Sequence, residues 1–320
     1  MKPNENYKNM THQNKPKAFD LIVITGPTAT GKTRLAAELA HQLNGEIISA
    51  DSRQIYKGMD IGTGKDLADY IVDGNMIPFH LVDLYNPGYE FNVFEFQNHF
   101  LQAFEHIQKR GKQAVMCGGT GLYIEAALAK YRLLKVPVNQ KLRKELEQYT
   151  QEELTDKLAK LRPLHNTTDT GDRKRLIRAI EIETYNHEHP EESTPYPEFS
   201  HIIFALNFPR NEIRERITSR LKKRLENGMT EEVEQLLKNG LKPEQLKFYG
   251  LEYKYITQYV TGEIGYEEMF SKLNTAIHQF AKRQMTWFRR MERNGFKIHW
   301  IDGHLTNKEK ILQIIQTIEK

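Results

Sequence analysis

The sequence predicts an α/β fold: a P-loop parallel sheet flanked by helices, with an all-helical domain inserted into it. Three observations carry that expectation. Apolar, β-branched runs alternate with amphipathic stretches through the first 130 residues, as parallel sheets covered on both faces require. A glycine motif for cradling phosphate follows the first of those runs. From about residue 131 to 199 the chain becomes charged and strandless, and an apolar run then resumes.

Phe19 to Thr25 reads as a buried strand bounded by Gly26. Lys32 to Asn44 has apolar residues at helical spacing, and Asn44-Gly45 supplies a stop. Glu46 to Ala50 and Pro78 to Leu84 are expected as further strands. Phe91 to Lys109 is expected as a helix, and Gln113 to Cys117 as a buried strand. Asn139 to Lys160 and Asp172 to Tyr185 look helical, and His187 to Pro197 looks like a loop. His201 to Phe208 is expected as a returning strand. The helices expected after it are Asn211 to Asn227, Thr230 to Asn239 and Tyr266 to Arg293, and a short strand, Lys297 to Ile301, precedes a terminal helix. The implied organisation is a flexible tail over 1–17, a phosphate-binding core over 18–130 and 200–320, and the helical insertion over 131–199.

The 320 residues are 39% hydrophobic and 28% charged, which suits a water-soluble globular chain. No run reaches the ~18 apolar residues of a membrane helix, so no membrane association is expected. The polar start lacks the apolar stretch of a secretory signal. A lone cysteine, Cys117, excludes an internal disulfide and a multi-thiolate zinc site; a reduced, cytoplasmic protein is expected. The net charge of +4 permits a nucleic-acid partner without demanding one.

Gly26-Pro27-Thr28-Ala29-Thr30-Gly31-Lys32-Thr33 fits G-x-x-x-x-G-K-[ST] between a strand and a helix. The glycines allow a tight turn whose amides converge on phosphate oxygens, and the following helix adds its positive end. Lys32 supplies a cation, and the Thr33 hydroxyl suits Mg²⁺. The motif specifies a phosphorylated ligand, not which one. Asp51 ends the second strand, on the sheet edge that carries ligands in open α/β folds; it also suits the cap of a following turn. Asp83 closes the run Phe79-His80-Leu81-Val82, either as a magnesium-associated acid or as an ordinary strand end. Gly118-Gly119-Thr120-Gly121 offers more amides on the same edge, or simply a tight strand–helix connection.

Cations cluster at Arg173-Lys174-Arg175 with Arg178, along Arg210 to Arg224, and from Lys282 to Arg293. Each reads alone as a solvated helix face. Together, with Tyr249, Tyr253, Trp287 and Phe288 interleaved, they suit an RNA surface. His187 and His189 suit either a metal or a wet surface.

Five segments together resemble the bacterial tRNA dimethylallyltransferase (tRNA isopentenyltransferase) family over about Phe19 to Ile301. They are G-P-T-A-T-G-K-T at 26–33, D-S-R-Q-I-Y-K-G-M-D-I-G-T at 51–63, G-G-T-G-L-Y at 118–123, R-L-I-R-A-I-E at 175–181 and A-K-R-Q-M-T-W-F-R at 281–289. The resemblance implies transfer of a dimethylallyl group from dimethylallyl diphosphate to the exocyclic amine of an adenine beside the anticodon, position 37 of tRNA. It implies Mg²⁺ at Thr33, Arg220 gripping the leaving diphosphate and Asp51 as general base. It also implies tRNA contacts from Asp51, Ser52, Arg53, Gln54, Thr120, Lys174, Arg175 and Arg178, with the insertion gripping the anticodon arm. A monomer is expected. Three departures stand out: Gly64 where relatives usually carry alanine, Gly250-Leu251-Glu252-Tyr253-Lys254 for a glycine-tyrosine-arginine-like stretch, and Ile277-His278 for a threonine-arginine pair. The alternatives are a small-metabolite kinase, a prenyltransferase acting on free adenine nucleotides, and a non-catalytic RNA-binding module.

Overall fold

The computed structural model describes residues 18–128, 133–162, 171–190 and 195–320; the tail expected over 1–17 lies outside them. The described residues fall into two compact units, one within 1–91, 99–127 and 199–320, the other within 92–98 and 128–198.

The first unit is built on six parallel strands: β1 (Leu21–Thr25), β2 (Gly45–Ser49), β5 (Phe79–His80), β6 (Gln113–Gly118), β7 (His201–Asn207) and β8 (Ile298–Asp302). Their order across the sheet is β5-β2-β6-β1-β7-β8. A two-stranded antiparallel hairpin, β3 (Ile71–Val72) and β4 (Asn75–Met76), stands apart. The central strands are near-continuous apolar runs because helices cover both faces. Leu21 to Ile24 are at most 1% exposed, each contributing about 1.5–3 kcal/mol by burial. Helix α1 (Lys32–Gln42) sets Leu35 and Leu39 into the same core as Ile311 and Ile314 of the terminal helix, α12 (Asn307–Ile318). Thr306 starts that last helix with a reciprocal cap through Glu309.

The third expected strand is shorter than the run Pro78 to Leu84. Only Phe79 and His80 pair with β2; Leu81 and Asp83 then take left-handed backbone, φ 63° and 55°. The chain leaves the sheet because it is held elsewhere: the Asp83 amide donates to the Gln54 carbonyl and its carboxylate receives buried Lys65.

In parallel sheets the loops at the carboxyl edge gather at one end. β2, β6 and β1 are neighbours, so the loops after Ser49, Gly118 and Thr25 converge there. Helix α7 (Arg210–Glu226) follows β7, and α8 (Met229–Lys238), α9 (Pro243–Phe248), α10 (Leu251–Val260) and α11 (Tyr266–Arg293) complete this unit. α9 and α10 are helices beyond those the sequence pattern marks: Pro243 opens one at its first turn and Gly250 separates the two.

The second unit holds α4 (Gln140–Leu146), α5 (Gln151–Leu161) and α6 (Arg173–Glu188), packed on Leu146, Leu154, Leu158, Leu176 and Ile180. The stretch expected as one helical region breaks at Thr150, whose hydroxyl and backbone form a capping box with Glu153. Buried Glu181 binds it internally. It accepts from the Asn139 amide at 2.5 Å, from Arg143 at 2.8 and 3.0 Å, and from Arg178. Helix α2 (Val93–Lys109) and α3 (Gly121–Leu128) flank β6 in sequence; the first residues of α2 group with this second unit.

Candidate functional site: a cavity at the carboxyl edge of the sheet

The loop 26–33 turns on Gly26, at φ 145°, and Gly31, at φ 78°, backbone that side chains resist. Thr30 Oγ1 donates to the Pro27 carbonyl at 2.9 Å and closes the turn. Lys32 Nζ reaches the same carbonyl at 3.4 Å. Thr28, Lys32 and Thr33 face a cavity of about 320 Å³. The other loop residues, Gly26, Pro27, Ala29, Thr30 and Gly31, shape the turn around them.

The loop after β2 lines the same cavity with Asp51, Ser52, Arg53 and Gln54. The Asp51 carboxylate accepts the Arg53 amide at 3.0 Å, which caps the turn, and also borders the cavity. Asp51 thus has the geometry of a turn cap and a place on the cavity wall together. The loop after β6 lies beside it. Thr120 Oγ1 accepts the Ser52 amide at 3.2 Å, and the Thr120 amide donates to the Ala50 carbonyl at 3.2 Å.

Helix α7 contributes a stripe of arginines four residues apart. Arg216 Nε donates to the Ala29 carbonyl at 3.0 Å. Arg220 donates to Thr28 Oγ1 and lines the cavity. Arg224 also lines it, with its guanidinium against Gly64. A methyl on Gly64 would meet Arg224 Nη2 at 1.8 Å, so the glycine makes room for that arginine. Burial pushes Arg220 down to about 9, with repulsion from Arg224 adding and Glu252 and Asp51 opposing. It remains a cation at neutral pH. Burial also lowers Lys32, opposed by Asp51 and reinforced by the two arginines. A polyanion bound among these groups would relieve their mutual repulsion.

Helix α11 closes the cavity. The buried Gln284 amide bridges two loops: Oε1 accepts the Thr28 amide at 2.9 Å, and Nε2 donates to the Gly119 carbonyl at 2.8 Å. Ile277, Phe280, Arg283 and Trp287 line the wall beside it. Arg290 stacks on Trp287 at 3.9 Å and binds Glu125 at 2.5 Å. Gln284 belongs to a recognised sequence segment, but nothing in that segment assigns it to bridging loops so distant in sequence.

Other candidates fall elsewhere. Asp83 does not line the cavity; buried Lys65 pairs with it and, at 2.5 Å, with Asp60, and both carboxylates stay partly exposed. Lys174 and Arg175 are exposed on the helical unit. Arg178 is engaged within that unit, donating to Glu181 and to the Val136 carbonyl at 2.8 Å. Arg173 caps the end of α4 through the Glu147 and Tyr149 carbonyls, at 2.9 and 2.7 Å. His187 and His189 bind backbone carbonyls at 3.2 and 3.1 Å. Among the described residues no three His, Cys, Asp or Glu side chains are grouped to hold a metal, and no helix is long and apolar enough to cross a membrane. His278 Nε2 lies 3.2 Å from the Thr218 hydroxyl and 3.1 Å from the Arg214 carbonyl, which can only accept from it, while Ile277 faces the cavity.

The family model for IPP transferase matches residues 54–291, and that for isopentenyl transferase matches 19–77. A protein of Bacteroides fragilis named tRNA dimethylallyltransferase 2 is 55% identical over 302 residues, covering 94% of this chain and 99% of its own. A Parabacteroides distasonis tRNA dimethylallyltransferase 1 is 55% identical over 295 residues, 92% and 96% of the two chains. The crystal structure of a full-length tRNA isopentenylpyrophosphate transferase of Bacillus halodurans superposes with TM-score 0.68 at 32% identity, covering 93% and 95%. A eukaryotic dimethylallyltransferase acting on tRNA superposes with TM-score 0.70 at 26% identity, covering 88% of this chain and 73% of its own.

Proposed function

Because the chain belongs to the tRNA dimethylallyltransferase family, we propose that it transfers a dimethylallyl group from dimethylallyl diphosphate to the exocyclic amine of the adenine at position 37 of tRNA, beside the anticodon, and releases diphosphate. One observation carries the reading to this chain's own residues. The phosphate loop and Arg220 share a single cavity with the carboxylate of Asp51.

The chemistry follows from that juxtaposition. As the adenine nitrogen bonds to the allylic carbon, the carbon–oxygen bond breaks and its electron pair leaves with diphosphate. Negative charge grows on the leaving group. The loop amides, Lys32 and the planar fork of Arg220 stabilise it where it develops. Asp51 takes the proton that the amine must lose. Leu122, Leu251, Ile277 and Phe280 give the five-carbon chain an apolar wall. The target base reaches this cavity only by leaving its stack.

The donor set suits Mg²⁺. Thr33 stands in the first turn of α1 and lines the cavity, as Cys117 does. Magnesium takes few protein ligands when substrate phosphates and water complete its shell. Thr33 and the diphosphate would hold the ion, which when bound supplies countercharge to the phosphates.

Exposed Lys174 and Arg175 are assigned to phosphate contacts with the anticodon arm. Ser52, Arg53, Gln54 and Thr120 are assigned to the nucleotide at the cavity; Arg178 is assigned to holding α6 in shape for the same partner. The enzyme works as a monomer beside its tRNA in the cytoplasm.

The test is direct. Purified protein, Mg²⁺, labelled dimethylallyl diphosphate and unmodified tRNA should give labelled tRNA, with the label on adenine after nucleoside digestion. Absence of transfer under conditions where a known relative is active would refute the reading. ATP consumption that depends on a small hydroxylated acceptor would replace it with a kinase.

A further inference from the structure

Glu232 stands behind the cavity, yet it holds one of its walls. Its carboxylate on α8 accepts three successive backbone amides: Asp60 at 2.7 Å, Ile61 at 2.7 Å and Gly62 at 3.0 Å. It also accepts the Tyr253 hydroxyl at 2.7 Å. Consecutive amides turned toward one carboxylate form an anion-binding nest. Here the anion is a side chain of the same protein. Gly62, Thr63 and Tyr253 line the cavity, while Glu232 does not.

The turn and the ring are coupled by contact as well as by the shared carboxylate. A Cβ on Gly62 would sit 2.6 Å from the Tyr253 ring, so the turn packs directly against it. At the other end, Gln54 Nε2 donates to the Gly64 carbonyl at 3.3 Å. Lys65 then fastens Asp60 at 2.5 Å and the Tyr56 carbonyl at 2.9 Å. The wall is thus continuous with the loop that carries Asp51, and Arg224 of α7 packs against it at Gly64.

We propose that Glu232 is a positioning residue for the acceptor: it fixes the turn 60–64 and Tyr253 as the wall against which the adenine is placed, without touching either substrate. The inference rests on the prenyl-transfer reading above. A glutamine at 232 keeps one acceptor oxygen but turns an NH₂ toward amides that themselves donate. The turn then loses its fixed seat, and misplacement by about 1 Å can cost up to ~10²-fold in rate.

The experiment compares wild type, Glu232→Gln, Glu232→Asp and Tyr253→Phe in the labelled-transfer assay. Inorganic diphosphate binding is measured by calorimetry and the melting curve by circular dichroism. The expected result for Glu232→Gln is a fall in kcat/KM for tRNA of tenfold or more, with diphosphate affinity within twofold of wild type. Glu232→Asp should recover part of the loss, and Tyr253→Phe should show a smaller loss of the same kind while folded. If Glu232→Gln unfolds, Tyr253→Phe alone decides. Activity unchanged in a folded variant, or loss of diphosphate binding in step with transfer, would overturn the inference. A wild type that transfers nothing would instead refute the function on which it rests.

Discussion

Gly119→Ala tests how the two loops of the cavity are held in register. Gly119 is not in left-handed backbone, so only space is at issue. The new methyl would lie 2.4 Å from Gln284 Nε2, where ordinary contact begins at 3.4 Å. The amide of Gln284 must therefore retreat by about 1 Å. It cannot do so and keep both bonds, to Gly119 at 2.8 Å and to Thr28 at 2.9 Å. Each is worth about 0.5–1.5 kcal/mol net, which puts the expected loss of stability at about 1–3 kcal/mol. The phosphate loop also loses the anchor at its Thr28 amide, and a shift of that size can lower turnover by up to ~10²-fold. Chemical denaturation gives the first quantity, and kcat/KM for labelled transfer gives the second. Gln284→Ala should show the same pattern by removing the amide outright. The double variant should be no worse than Gln284→Ala alone, because the methyl then has room. A neutral Gly119→Ala, or losses that simply add in the double variant, would refute the bridging role of Gln284.

Three further outcomes are expected. Asp51→Asn should lower kcat by about 10²–10⁴-fold with diphosphate affinity preserved; an equal loss of binding, read by calorimetry, would contradict the base role. Arg220→Lys keeps the charge but not the fork that reaches Thr28, and should weaken diphosphate binding and turnover tenfold or more, since bonds to charged groups are worth about 1.5–3 kcal/mol; wild-type behaviour would argue against a grip on the leaving group. Glu181→Gln should destabilise the helical unit by about 1–3 kcal/mol, discounted because Arg143 and Arg178 are 34% and 37% exposed. Burial raises the Glu181 carboxyl, but bonds from Arg143, Arg178 and the Asn139 amide outweigh that and leave it below its usual range. Its contribution is then present above the ordinary carboxylate value of about 4.3 and is lost as pH falls through the lower folded value. Helical melting followed against pH should show the wild-type advantage shrinking in acid, and an advantage that grows there would contradict the pairing.

The parallel core was legible because buried strands such as Leu21 to Ile24 are written as unbroken apolar runs, and because the glycine loop fixes the strand–helix order around Lys32. The stretch at Phe79 misled for a physical reason. Its apolar character continues to Leu84, but the chain is pulled away by an ion pair with Lys65 that no local pattern reveals. Residues in contiguous motifs, such as Thr28, Lys32, Asp51 and Thr120, could be singled out from the sequence, and they line one cavity. Gln284 and Glu232 could not be given their roles, because each acts on backbone 256 and about 172 positions away. The arginines of α7 showed only a crowded charge pattern. Their spacing of four points one stripe, Arg216, Arg220 and Arg224, toward the phosphate loop and the turn at Gly64.

The most direct measurement is a crystal structure of the protein with diphosphate, Mg²⁺ and an anticodon stem-loop bearing the target adenine. The expected result is diphosphate seated on the amides of residues 28–33 beside Arg220, with the flipped adenine's exocyclic amine within about 2.6–3.2 Å of the Asp51 carboxylate. An adenine left stacked in its loop, or one entering the cavity with its amine turned away from residue 51, would contradict the proposed chemistry.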